Sequence, residues 1–137
     1  MKNFSYLFLA ILVSILVFAD RLAKILAQNT EKNIGAAFGI LPGFSILFIA
    51  VAVVIIFLIL KFYKKCGKPM QIALILILAG TISNTLDRIF LGYVIDFIRI
   101  PFISNSSTFN LADICNVAGA AALLISLIKK TNGHHTH

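Results

Sequence analysis

Three of the five carboxylates in this chain fall in two short stretches, GTISNTLDRIFLGYVIDFIRI at residues 80–100 and FNLADICNVAG at 109–119. They are Asp87, Asp96 and Asp113, in a sequence that is 60 % hydrophobic. Ionisable groups at the edge of a bilayer are costly, and they persist mostly where they work. Two acidic side chains brought together from separate segments share a proton, because like charges a few ångströms apart do not both ionise. One member then activates a water while the other protonates a leaving group, which is the chemistry of aspartic proteases.

Local spacing gives each acid a setting. Asn84, Asp87 and Arg88 stand at i, i+3 and i+4, so a helix puts them on one face. A plain polar helix end with Arg88 snorkelling to the headgroups accounts for one of the three well, and for the set less well. After Gly92 the segment YVIDFIRI is β-branched and aromatic and reads as extended. Asp96 is its one acid, and its neighbours Ile95 and Phe97 favour the protonated form by desolvation. Pairing of Asp96 with Arg88 or Arg99 is the simpler alternative. Asn110 fits a helix N-cap and Asp113 the third helical position, a spacing like that of a capping box. Capping alone explains that spacing. The helix N-terminus also favours a negative charge there, which makes an ionised Asp113 the base and a protonated Asp96 the acid.

Other chemistries lack their parts. No HExxH occurs, and every histidine lies in the tail TNGHHTH, read here as solvated, so neither a zinc protease nor a Ser-His site can be assembled. A serine–lysine dyad of Ser83 and Lys24 would compete with Asp20, which stands four residues before the lysine. Carboxylates alone would hold Mg²⁺ for a lipid-phosphate transferase, the rival enzyme. A small four-span channel or transporter working through intramembrane carboxylates is the rival outside enzymes. Cys66 and Cys115 have no metal-ligand spacing, and they are expected near opposite membrane faces, too far apart for a disulfide.

The elements that must position these residues are membrane spans. Mean hydropathy is +1.00 and 12 % of the residues are charged, more apolar surface than a soluble domain of 137 residues can hide. The sequence predicts one integral-membrane domain over 1–137, with spans at about 4–26, 43–61, 69–87 and 111–128. The fold class is thus an all-α membrane protein of four transmembrane helices, with a small extended, β-like portion outside the bilayer. A cleavable signal peptide ending at Val17-Phe18-Ala19 is the alternative for the first run. Against it, the helical pattern continues through Asp20 and Lys24 at i, i+4. The following QNTEKNIGAAFGILPG reads as irregular backbone.

Four spans put both termini on one side. That side carries Lys2, Lys61, Lys64, Lys65, Lys68, Lys129 and Lys130 without an acid, and all five acids lie at the other. The positive-inside rule then makes the protein N-in and C-in. The net charge of +7 is assigned in this way to orientation and not to nucleic acid.

Taken in order, Asp20-x-x-x-Lys24, NIGAAFG at 33–39, Asn84-x-x-Asp87-Arg88 with GYVIDF, and FNLAD at 109–113 resemble lipoprotein signal peptidase, the signal peptidase II family. Each motif is weak alone, but four in sequence on a matching topology are specific, and they cover most of the chain. The resemblance implies an aspartic endopeptidase of the bacterial cytoplasmic membrane with its site at the extracytoplasmic face. Its catalytic dyad would be Asp96 and Asp113. Asn33, Gly35, Asn84, Arg88 and Asn110 would line or support the site, and Asp20, Lys24 and Asp87 would be structural, with Asp87 orienting Arg88 and the helix end. The implied substrate is a diacylglyceryl-prolipoprotein cut before its lipidated cysteine, held with membrane lipid around it. Cyclic-peptide inhibitors of the family are implied ligands, and no metal or organic cofactor is.

Two departures stand out. Ser83 occupies a position where the family usually has glycine, a mild change of backbone freedom. Only eight residues separate Lys24 from Asn33, fewer than the strand-forming segment the family usually carries there. The small β-platform over the site is therefore expected to be reduced or built from other pieces.

Overall fold

The third helix is the axis of the protein. A computed structural model of the chain describes residues 3–35, 41–101 and 108–132. The 36–39 part of the NIGAAFG motif and the histidine tail lie outside the described residues. Helix α1 is Tyr6–Leu26, α2 is Ser45–Phe62, α3 is Lys68–Leu91 and α4 is Leu111–Asn132. All four are long and apolar enough to cross a membrane. Half of the apolar window of α3 is buried, against 11–17 % for the others. The other three helices all pack on it.

Local signals set the helix ends. The Ser5 hydroxyl accepts the Phe8 N–H at 3.1 Å and caps α1. Pro69 in the first turn of α3 gives up an N–H that has no helical partner in any case. At the far end Gly92 adopts φ 81°, the left-handed conformation that stops a helix, and its amide closes on the Arg88 carbonyl. The helix thus runs to Leu91, beyond the span end expected near residue 87, and holds both Asp87 and Arg88.

Helices α3 and α4 approach closely because glycines face the contact. A Cβ on Gly119 would fall 2.7 Å from Ile77 Cγ1 and 2.8 Å from the Ala73 carbonyl oxygen. One on Gly80 would fall 2.6 Å from Asn116 Oδ1. With little hydrophobic drive between helices in lipid, such close backbone packing supplies the attraction. Away from the acidic end, Leu9, Val13, Ile59, Tyr63, Leu74, Ile75 and Leu78 form an apolar core. Large apolar side chains also point outward, among them Ile46 (85 % exposed) and Phe90 (75 %), as a lipid-facing surface requires.

The small platform expected to be reduced or built from other pieces is assembled from both sides of α3. Strand β1, Glu31–Asn33, comes from the short first connection and pairs antiparallel with β2, Val94–Asp96. The register sets Glu31 opposite Asp96 and Asn33 opposite Val94. An Ile98–Phe109 bridge extends the pairing toward α4. Glu31 forms an ion pair with Arg99 and accepts the Thr108 hydroxyl at 2.8 Å. The Thr108 hydrogen bond, above all, holds the Glu31 carboxyl below its usual range. Arg99 is thereby drawn to Glu31 and not to Asp96.

Candidate active site

The N-terminus of α4 is closed by a reciprocal pair. Asn110 Oδ1 accepts the Asp113 N–H at 2.9 Å, and Asp113 Oδ2 accepts the Asn110 N–H at 3.2 Å. The same asparagine reaches the acid on strand β2: its Nδ2 lies 2.8 Å from Asp96 Oδ1, 3.0 Å from Asn84 Oδ1 and 3.2 Å from the Ile95 carbonyl. Asn84 Nδ2 donates to Asp113 Oδ1 at 2.8 Å. Asn33, on the neighbouring strand, donates from Nδ2 to Asp96 Oδ2 at 3.0 Å, and its own Oδ1 accepts the Gly35 N–H. Two carboxylates from separate segments are thus joined through the amides of Asn84 and Asn110, and each is fixed at both oxygens.

Asp96 is almost fully buried at 1 % exposure. Burial, the largest cause, pushes its carboxyl up to about 6, and the Asp113 charge adds to the rise. Hydrogen bonds from Asn33 and Asn110 and the Lys24 charge oppose it without cancelling it.

Behind this pair sits a second acidic group that is fully matched by cations. The Lys24 ammonium, 0 % exposed, lies 2.5 Å from Asp20 Oδ2, 2.7 Å from Asp87 Oδ2 and 3.3 Å from Asn84 Oδ1. Arg21 holds the other Asp87 oxygen at 2.5 Å, and the Ile95 N–H donates to Asp87 Oδ2 at 3.2 Å. Asp20 accepts the Ser83 hydroxyl at 2.6 Å and the Ala112 N–H at 3.0 Å. One carboxylate thereby ties the outer end of α1 to α3 and to the first turn of α4. The ion pairs of Asp87 go to Arg21 and Lys24, so it anchors α1, and through the Ile95 N–H it fixes β2. Arg88 turns instead to the Gly35 carbonyl at 2.8 Å, and its guanidinium lies over the Phe48 ring.

A cavity of about 310 Å³ opens beside Asp113. Asn33, Asn84 and Arg88 line it on the polar side, and Phe48, Val51 and Ile55 of α2 form an apolar wall. Arg88 Nε is buried here without a hydrogen-bond partner among the described residues. Such an orphan costs free energy until an acceptor arrives. The cavity thus sets the Asp113 carboxylate and polar groups from Asn33, Asn84 and Arg88 against an apolar wall.

All ten residues singled out from sequence lie in these two connected networks. Ser83 does more than change backbone freedom, because its hydroxyl is spent on Asp20. With Lys24 held between two carboxylates, the serine–lysine alternative has no free partners. Arg21, Phe48, Thr81 and Asn116 escaped the sequence reading. Arg21 carried no signal beyond its charge, whereas Asn116 could have been found at i+3 from Asp113, on the same face of α4.

Comparison with known proteins agrees in family and fold. The family model described as signal peptidase (SPase) II matches residues 10–129. A lipoprotein signal peptidase of Halothermothrix orenii is 37 % identical over 85 % of this chain and 92 % of its own length. The lipoprotein signal peptidase of Streptococcus thermophilus is 38 % identical over 76 % of this chain and 69 % of its own. A bacterial membrane enzyme solved by the in meso method superposes with a TM-score of 0.88 at 25 % identity, covering 99 % of this chain and 96 % of that one. None of these matches favours the channel or the lipid-phosphate transferase. With a family model spanning most of its length and relatives above the 30 % level, this multi-pass membrane chain belongs to the signal peptidase II family.

Proposed function

We propose that the protein is an aspartic endopeptidase that removes signal peptides from diacylglyceryl-modified prolipoproteins, cutting before the lipidated cysteine, with Asp96 and Asp113 as its catalytic dyad. The observation that carries this reading is the contrast between the two acidic groups. Asp20 and Asp87 are neutralised by Lys24 and Arg21. Asp96 and Asp113 are held by amides, the Asp113 charge acts on Asp96, and Asp113 lines the cavity.

In this mechanism Asp113 takes a proton from a water whose oxygen attacks the scissile carbonyl carbon. Asp96 gives its proton to the carbonyl oxygen, which completes a tetrahedral diol. Collapse of the diol returns a proton to Asp96, breaks the C–N bond and passes the proton held by Asp113 to the leaving nitrogen. Asn84 and Asn110 hold both carboxyls in register. In this reading the Arg88 Nε, without an acceptor among the described residues, donates to the substrate backbone, and Asn33 lines the same polar wall. The diacylglyceryl chains hold the reacting bond at the depth of the dyad, a proximity effect. The cation excess at the other end of the helices makes both termini cytoplasmic and the site extracytoplasmic.

The test is incubation of the purified protein in detergent with a diacylglyceryl-modified precursor, read by gel shift and mass spectrometry. Wild type releases the peptide that ends just before the modified cysteine, while Asp96→Asn and Asp113→Asn stay folded and release none. Normal cleavage by either variant overturns the dyad. In a background from which Cys66 and Cys115 have been removed, cysteines placed at Asn29 and at Lys65 test orientation: an impermeant thiol reagent on intact cells should label the first alone. The reverse pattern overturns the assignment of faces.

A further inference from the structure

One turn nearer the bilayer centre than the Asn84–Asp113 contact, helices α3 and α4 make a second polar contact. The Thr81 hydroxyl donates to Asn116 Oδ1 at 3.4 Å, and both residues line the same cavity as Asp113. Thr81 stands three residues before Asn84, and Asn116 three after Asp113, so the two tiers are parallel. Gly80 leaves the room the asparagine fills. With its oxygen turned to Thr81, the Nδ2 of Asn116 has no acceptor among the described residues. An unused amide donor at this depth is costly, since hydrocarbon offers it nothing.

We propose that Asn116, oriented by Thr81, is a substrate-positioning residue that donates a hydrogen bond to a backbone carbonyl of the signal peptide one or two residues ahead of the cut. This rests on the function proposed above. There the apolar signal segment fills the bilayer, so the chain on the N-terminal side of the reacting bond runs toward the membrane centre. It must be unwound to reach the dyad, and each unwound carbonyl in lipid needs a donor. Three helical residues separate Asp113 from Asn116, about 4.5 Å along the axis. An extended chain covers that distance in one to two residues at about 3.3 Å each. The amide therefore meets the first or second carbonyl inside the cut.

The experiment measures kcat and KM for lipidated synthetic precursors. One has a normal backbone, and two others carry an ester in place of the first or the second amide ahead of the cut, which weakens the carbonyl acceptor. Wild type should bind one ester precursor about three- to tenfold less well, the size expected for a neutral hydrogen bond. Asn116→Leu should raise KM for the normal precursor by a similar factor and erase the distinction between amide and ester. Thr81→Val should give a smaller loss in the same direction. If Asn116→Leu does not fold, Asn116→Ala replaces it. Equal ester discrimination in wild type and variant overturns the proposal, as does a variant that loses stability or kcat with KM unchanged. Asp113→Asn runs alongside. Full cleavage by Asp113→Asn marks failure of the dyad reading, while a dead Asp113→Asn with undiminished ester discrimination in Asn116→Leu marks failure of this inference alone.

Discussion

Replacing Asp96 by Asn removes a charge that the fold holds at a cost, and stability should register the loss as a function of pH. Burial moves this carboxyl from 3.8 to about 6. At about 1.4 kcal/mol per unit the shift corresponds to roughly 3 kcal/mol of stability withheld from the ionised protein. Solvent at the mouth of the site screens part of this, which leaves about 1–2 kcal/mol. The sign follows from linkage. Between pH 3.8 and about 6 the folded state binds more protons at Asp96 than the unfolded state, so wild-type stability falls as pH rises through this window. Asn does not titrate. Its one side-chain oxygen serves only one of the two amides that reach Asp96, a pH-independent loss of about 1 kcal/mol. Asp96→Asn should therefore be the less stable protein near pH 4 and gain about 1–2 kcal/mol on wild type by pH 8. Equilibrium unfolding in mixed micelles at pH 4, 5, 6, 7 and 8 measures the difference. A difference that is flat across the range, or that falls with pH, refutes the assignment of a destabilised Asp96 charge.

Three further outcomes follow from the same geometry. In the wild-type enzyme log kcat/KM should fall with unit slope above about pH 6, because Asp96 must be protonated to act as the acid; a pH–rate profile that stays level to pH 8 would remove it from that role. Lys24→Met strips the shared ammonium from two buried carboxylates and should cost about 3–5 kcal/mol, with Asp20→Asn in the same chain restoring part of the loss; strict additivity in that double-mutant cycle would contradict the shared contact. Gly119→Ala drives a methyl toward the Ala73 carbonyl and should destabilise by about 1–3 kcal/mol in unfolding assays while a Gly92→Asn change at the helix stop costs less, and the opposite order would mean that α3 and α4 do not meet as closely as described.

The apolar runs, the one-sided lysines and the short-range spacings were legible in the sequence because each depends on neighbours a few residues away. Helical period alone puts Asn84, Asp87 and Arg88 on one face. The Asn110–Asp113 spacing alone predicts the cap seen at the start of α4. The β-branched run around Asp96 likewise announced an extended segment. What sequence left open was the partner of each charge, because that depends on the angle at which one helix meets another. Periodicity defines a face but not what it faces. Arg88 is the cation nearest Asp87 in sequence, yet the ion pairs of Asp87 come from Arg21 and Lys24 of α1. Asp20 finds the Ala112 N–H across 92 residues of chain. Pairing of β1 with β2 brings Asn33 to Asp96 across 63. The short glycine contact between α3 and α4 then aligns Thr81 with Asn116 beneath Asn84 and Asp113. Chain order thus named the acids, while tertiary packing decided which of them form ion pairs with Lys24 and Arg21 and which are held by the amides of Asn33, Asn84 and Asn110, because the surroundings that set a carboxyl's charge come from other segments of the chain.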